Sequence, residues 1–208
     1  MLKPGGQAAA IYERYRRAIL GTLIALLAVG LIFVGPVYPG TDDFHENLEI
    51  LGLTLIVTAI LGRMWCTLYI GGSKNSSLVT DGPYSLSRNP LYVFSTIGAA
   101  GIGAQMGSVT MMIGAAVLCY VAFMLLIRVE EDRLSEAFGE TFQHYIRSTP
   151  RFFPKFSGYR ERETVTFKPH LLRATLFDGL VFFIALPVFE VLEAAQDSGF
   201  IPVLLRVW

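Results

Sequence analysis

Val109-Thr-Met-Met-Ile-Gly-Ala-Ala-Val-Leu-Cys-Tyr-Val-Ala-Phe-Met-Leu-Leu-Ile127 contains no charged residue and is followed at once by Arg128-Val-Glu-Glu-Asp-Arg133. A helix in water keeps one polar face along its whole length. This one has none until residue 128, and a bilayer core about 30 Å thick takes roughly 20 such residues per crossing. Working outward, the same reading gives spans at 19–37, 50–70 (interrupted by Arg63), 91–106 (short and glycine-rich) and 174–191 (interrupted by Asp178 and Pro187). The short third span and the fourth form a hairpin turning at Ala104-Gln105-Met106-Gly107, with Gly98, Gly101, Gly103 and Gly107 admitting close backbone approach.

Composition agrees. Of 208 residues 53% are hydrophobic and 16% charged, against about 25% charged in a soluble domain. The mean hydropathy is +0.50. Residues 18–127 carry eight charges, whereas 128–173 carry sixteen, so the charge is segregated rather than spread. A soluble enzyme, a disordered chain and a disulfide scaffold are excluded, since Cys66 and Cys119 both lie in apolar runs. Zero net charge gives no nucleic-acid partner; the implied partners are membrane lipids and a lipophilic substrate. The 19–37 run follows Arg14, Arg16 and Arg17 as a signal peptide would, but no small-x-small cleavage site comes after it and further spans do.

The expected fold is therefore an all-α polytopic membrane protein of about five helices. Its parts are an N-terminal tail (1–17), spans one to four with a 71–90 loop (18–127), a polar region (128–173), and a fifth span with a tail (174–208). Basic residues precede span one, fill the 71–90 loop (Lys74, Arg88) and recur nine times in 128–173, while the intervening loops have almost none. Positive charge stays in the cytosol. The N-terminus and both polar regions are expected there, the C-terminus outside, with the 200–208 stretch lying at the interface.

Chemistry must come from the two polar regions. In the first, Gly82-Pro83 reads as a turn, Asn89 as an N-cap and Pro90 as the first residue of helix three. In the second, helix four continues past the membrane and stops near Gly139, after which Phe142, Tyr145 and Ile146 give a short helix an apolar face. The hairpin then places Arg88 to Tyr92 beside Glu130 and Glu131 on one membrane face. Histidines 45, 144 and 170 are scattered and give no metal-ligand spacing, and His144 reads as structural.

Gly82-Pro83-Tyr84, Arg88-Asn89-Pro90-x-Tyr92, Glu130-Glu131, Leu134, Phe138-Gly139, Tyr145, Arg151 and Pro154 together resemble the isoprenylcysteine carboxyl methyltransferases and related phospholipid methyltransferases. Asn89 stands where many relatives carry histidine. The resemblance implies an all-helical enzyme that binds S-adenosylmethionine at the cytosolic helix ends and methylates a prenylcysteine-like carboxylate or a phospholipid amine. It further implies cofactor contacts from Pro83, Tyr84, Arg88, Asn89, Pro90, Tyr92, Glu130 and Glu131. Arg151 and Arg147 are the candidates to grip an acceptor, with Phe152, Phe153 and the intramembrane Arg63 as substrate contacts. Two other classes stay open: a sterol-reductase-like enzyme using a nicotinamide cofactor, and a non-enzymatic membrane component.

Overall fold

The computed structural model describes residues 32–37, 42–71 and 77–208. In chain order it contains β1 (Val34–Pro36), α1 (Asp43–Ile70), the single-turn α2 (Pro83–Leu86), α3 (Pro90–Ala104) and α4 (Val109–Ser148). A 3-10 turn (Phe156–Gly158), α5 (Pro169–Leu180), a second 3-10 turn (Val181–Ile184), α6 (Ala185–Asp197) and β2 (Leu205–Val207) complete it. The protein is an all-α integral membrane protein. Three helices among the described residues are long and apolar enough to cross a bilayer: α1, α4 and the continuous Pro169–Asp197. The span expected at 19–37 lies outside the described residues except for 32–37.

Helix α1 starts at Asp42, whose carboxylate accepts the Phe44 amide at 2.8 Å as an N-cap. It packs along α3, and α3 along α4. The glycines expected to serve the hairpin divide their work. Gly103 faces Met111 across the hairpin, but Gly101 faces α1 and Gly98 sits between Phe182 and Ala59 of α1: a Cβ on Gly101 would lie 2.7 Å from the Gly52 carbonyl, and one on Gly52 2.8 Å from that of Gly101. Such mutual contact between two backbones replaces the hydrophobic drive that lipid removes. The outer surface of α4 carries Ile113, Val117, Leu118, Val121, Leu125 and Leu126, all at least half exposed, a face suited to lipid.

Two departures from the sequence reading concern the fifth span and the tail. The span extends over Pro169–Asp197 and tightens to 3-10 geometry at Val181–Ile184. Pro187 lacks the N–H that the Phe183 carbonyl would accept, and its ring crowds that carbonyl, so the turn ahead of it rearranges. The tail also pairs with the start of the described chain. Leu205–Val207 pairs in parallel with Val34–Pro36, and the Trp208 carbonyl accepts from Ser108 Oγ and from the Thr110 amide at the start of α4. Chain segments 171 residues apart thus close the end of the molecule where the hairpin turns.

Candidate active site

The opposite end holds the polar cluster. Gly82, at φ 59°, turns the chain into α2, with Pro83 at its first position; the stretch read as a turn is a turn followed by one helical turn. Asn89 occupies the N-cap position of α3 as expected, but its side chain does not cap. Its amide Nδ2 donates instead to the Arg151 carbonyl at 3.0 Å. Gly139 interrupts α4 with φ 51° and ψ −124°, where the sequence placed a stop, and the short helix beyond it buries Phe142 and Tyr145.

That break lets the chain return to the 82–89 loop and zip onto it. The Arg88 amide donates to the Pro150 carbonyl at 2.8 Å, the Lys155 amide to that of Leu86 at 2.9 Å, and Tyr145 Oη to that of Tyr84 at 2.6 Å. Further along, Gly82 N donates to the Arg160 carbonyl, Arg160 N to Ser85 Oγ, and Arg162 Nε to Asp81 Oδ2 at 2.5 Å. Residues 155–162 therefore wrap the loop, a role that nothing in their own sequence announced.

Arg88 and Glu131, 43 positions apart, are in contact. Arg88 Nε and Nη2 both donate to Glu131 Oε1, at 3.0 and 2.8 Å, and Nη1 donates to the carbonyls of Ile146 and Thr149 that end the short helix. A guanidinium at a helix C-terminus meets carbonyls that have no intrahelical donor. Arg151 holds the same carboxylate as a two-pronged fork, Nε to Oε1 at 3.3 Å and Nη2 to Oε2 at 2.7 Å. Glu131 and Arg88 are nearly buried, with side chains 10% and 8% exposed, while Arg151 is 41% exposed. Among the described residues the trio carries a net charge of +1.

Beside it lies a cavity of about 450 Å³, within the range of small-molecule sites. Arg88, Asn89, Tyr84, Tyr92, Glu130 and Arg63 all reach its wall. Tyr92 Oη donates to Glu130 Oε2 at 3.0 Å, and its ring stacks on Phe123 with centroids 4.5 Å apart. Arg63, the charge inside α1, donates from Nη1 to Ser95 Oγ at 2.5 Å and lies 5.9 Å from the Phe182 ring centroid. Two polar atoms on this wall, Tyr84 Oη and Arg63 Nε, are buried with no hydrogen-bond partner among the described residues. Such atoms call for a partner. Burial, first of all, pushes the Tyr84 and Tyr145 phenols up from their ordinary value, so both remain protonated donors.

Not every candidate faces this space. Glu131 and Arg151 lie behind Arg88 rather than on the cavity wall, and Pro83 and Pro90 shape the backbone beside it. Phe152 and Phe153 pack around Tyr120, with centroids at 4.8 and 6.0 Å, and Arg147 is exposed to solvent. Conversely Phe123, Leu134, Phe138 and Tyr145 line the cavity. Phe123, Ile127, Glu130, Leu134 and Phe138 recur at helical spacing, a single stripe that runs from the apolar half of α4 into its charged half. That stripe was the available signal.

Comparisons with known proteins give a family model and three relatives. The family model described as phospholipid methyltransferase matches residues 47–141, from α1 to just past the Gly139 break. The cobalt-zinc-cadmium resistance protein CzcN of Cupriavidus metallidurans is 35% identical over 89% of this chain and 85% of its own length. The nickel-cobalt-cadmium resistance protein NccN of Alcaligenes xylosoxydans is 34% identical over 91% and 88%. Protein-S-isoprenylcysteine O-methyltransferase B of Arabidopsis thaliana is 28% identical over 69% and 75%. No solved structure matches significantly.

Proposed function

The chain belongs to the family of integral membrane methyltransferases that includes the phospholipid and isoprenylcysteine enzymes, and from that premise we propose that it transfers a methyl group from S-adenosylmethionine to a lipophilic acceptor. One observation carries the reading: a single cavity joins the apolar stripe of α4 to Arg88, Asn89, Tyr92 and Glu130.

The donor, when bound, supplies a methyl group on a positively charged sulfur. The residues present fit such a group. Glu130 and the Tyr92 ring offer negative potential to a sulfonium. Arg88 uses four of its five N–H donors within the protein and keeps one for a carboxylate. Tyr84 Oη is a buried donor in need of an acceptor. Methyl transfer is an in-line displacement, so the protein's work is alignment and charge complementarity. Glu131 acts by holding Arg88 and Arg151 in register, and Arg151 by fixing Asn89 through its carbonyl. Both are positioning residues. Phe123, Leu134 and Phe138 give the hydrocarbon part of the acceptor an apolar wall. Arg63 offers its Nε to an anionic or polar part of it. Basic residues in the 71–90 loop and the 128–173 region orient this end toward the cytosol.

Calorimetric titration of the purified protein with S-adenosylhomocysteine is expected to show saturable binding. Membrane extract incubated with the enzyme and isotopically labelled methyl donor is expected to yield one labelled lipophilic product by mass spectrometry. Well-folded protein that binds neither S-adenosylmethionine nor S-adenosylhomocysteine removes the proposal.

A further inference from the structure

The other end of the molecule gathers a different set of side chains. His45 and Glu49 stand one helical turn apart near the start of α1, and Glu193 approaches them from α6, 148 positions on from His45. His45 Nε2 lies 3.4 Å from Glu49 Oε1 and 3.8 Å from Glu193 Oε2, and the three donor atoms all fall within 4.8 Å of one another. His45 is 1% exposed. Its ring is held by the backbone of the hairpin turn: Gly107, at φ 60°, leaves no room for a Cβ, which would lie 2.1 Å from Nδ1. The two carboxylate side chains are 37% and 29% exposed. Against His45 and Glu193 lies a second cavity of about 20 Å³, with Gln105 and Gln196 on its wall. That is room for about one ion or water.

We propose that His45, Glu49 and Glu193 form a binding site for a divalent transition-metal ion, at the end of the molecule remote from the methyl-transfer cavity. Ligands about 2.0–2.1 Å from a tetrahedral centre stand about 3.3 Å apart. The His45–Glu49 separation of 3.4 Å already matches, and Glu193, at 3.8 Å, is within half an ångström of it. One neutral imidazole and two carboxylates balance the charge of a 2+ ion. Imidazole suits first-row transition metals such as zinc, copper, iron and nickel, whereas sites made of oxygen ligands alone suit calcium and magnesium. Three protein ligands leave a fourth position open toward the small cavity. The bound ion would cross-link α1 to α6 beside the β1–β2 pair, and the His45-to-Arg63 separation of 18 residues puts it about 27 Å along α1 from the Arg63 end of the main cavity.

The test uses tag-free, chelator-stripped protein in detergent, with no methyl donor present, so its outcome is independent of the methyl-transfer reading. Titration with cobalt(II) is expected to give visible d–d absorption that saturates at one equivalent, without a thiolate charge-transfer band. Zinc is expected to compete for the site and to raise the unfolding temperature. Glu193→Gln and Glu49→Gln, both at part-exposed positions, are each expected to weaken binding by at least about tenfold. His45→Gln is expected to abolish it. Wild-type protein that binds no cobalt, or binding that Glu193→Gln and Glu49→Gln leave unchanged, overturns the proposal.

Discussion

Arg88 shows how one residue can be legible in position and not in duty. Its motif and the hairpin geometry were enough to bring it against Glu131, since two helices of a hairpin return the chain to the same membrane face. They were not enough to show that Glu131 answers two arginines while Glu130 reaches the cavity. Adjacent residues on a helix point about 100° apart, and which of the two faces inward depends on a phase set by packing around Phe123 and Leu134. A double dissociation follows. Glu131→Gln leaves the buried Arg88 guanidinium without its counter-charge, a loss of about 3 kcal/mol for a buried pair, and thermal unfolding in detergent is expected to move down accordingly. Glu130→Gln is expected to leave the unfolding temperature unchanged while weakening S-adenosylhomocysteine binding about tenfold, the worth of one charge-assisted contact. Calorimetry and thermal unfolding on the same two preparations check both arms; the reverse pattern would reassign the two glutamates.

At the scale of elements, the breaks were easier to read than the contacts. Gly139, Pro90 and the 104–107 turn each announce themselves chemically, because glycine and proline restrict or free the backbone locally. The partner of a small-residue stripe carries no such mark, which is why Gly98 and Gly101 read as hairpin glycines yet pack on α1. Substitution separates the two kinds of glycine. Gly101→Val drives side-chain atoms into the Gly52 carbonyl and Ile56, an overpacking cost of about 1–3 kcal/mol, and its unfolding temperature is expected to drop. Gly114→Ala meets nothing within 4 Å and replaces a poor helix former with the best one, a gain of up to about 1 kcal/mol. Its unfolding temperature is expected to hold or rise. Equal effects from the two would show that α3 and α1 do not pack through these residues.

Over the whole molecule, chemistry divides between two ends: arginines, tyrosines and Glu130 around a large cavity at one, and His45, Glu49 and Glu193 with the strand pair at the other. Long-range closure was invisible in the sequence. Strand pairing of 34–36 with 205–207, and the approach of Glu193 to His45, involve residues whose neighbours in the chain give no sign of the contact. Charge distribution, by contrast, can be read from the sequence directly, and the side it implies for each end is open to test. Asp132, in the polar stretch of α4 beside the cluster, and Asp197, at the end of α6, are both exposed and lie at opposite ends of the fold. The native thiols are poor competitors for labelling: Cys66 is buried and Cys119 half-buried within spans. With the basic end in the cytosol, Asp197→Cys is expected to react with a membrane-impermeant maleimide in cells whose outer barrier is permeabilised. Asp132→Cys is expected to react only after the inner membrane is opened. Because a methyl donor made in the cytosol can reach the cavity only from that side, labelling in the opposite order would leave the Arg88–Glu130 cavity without access to the donor.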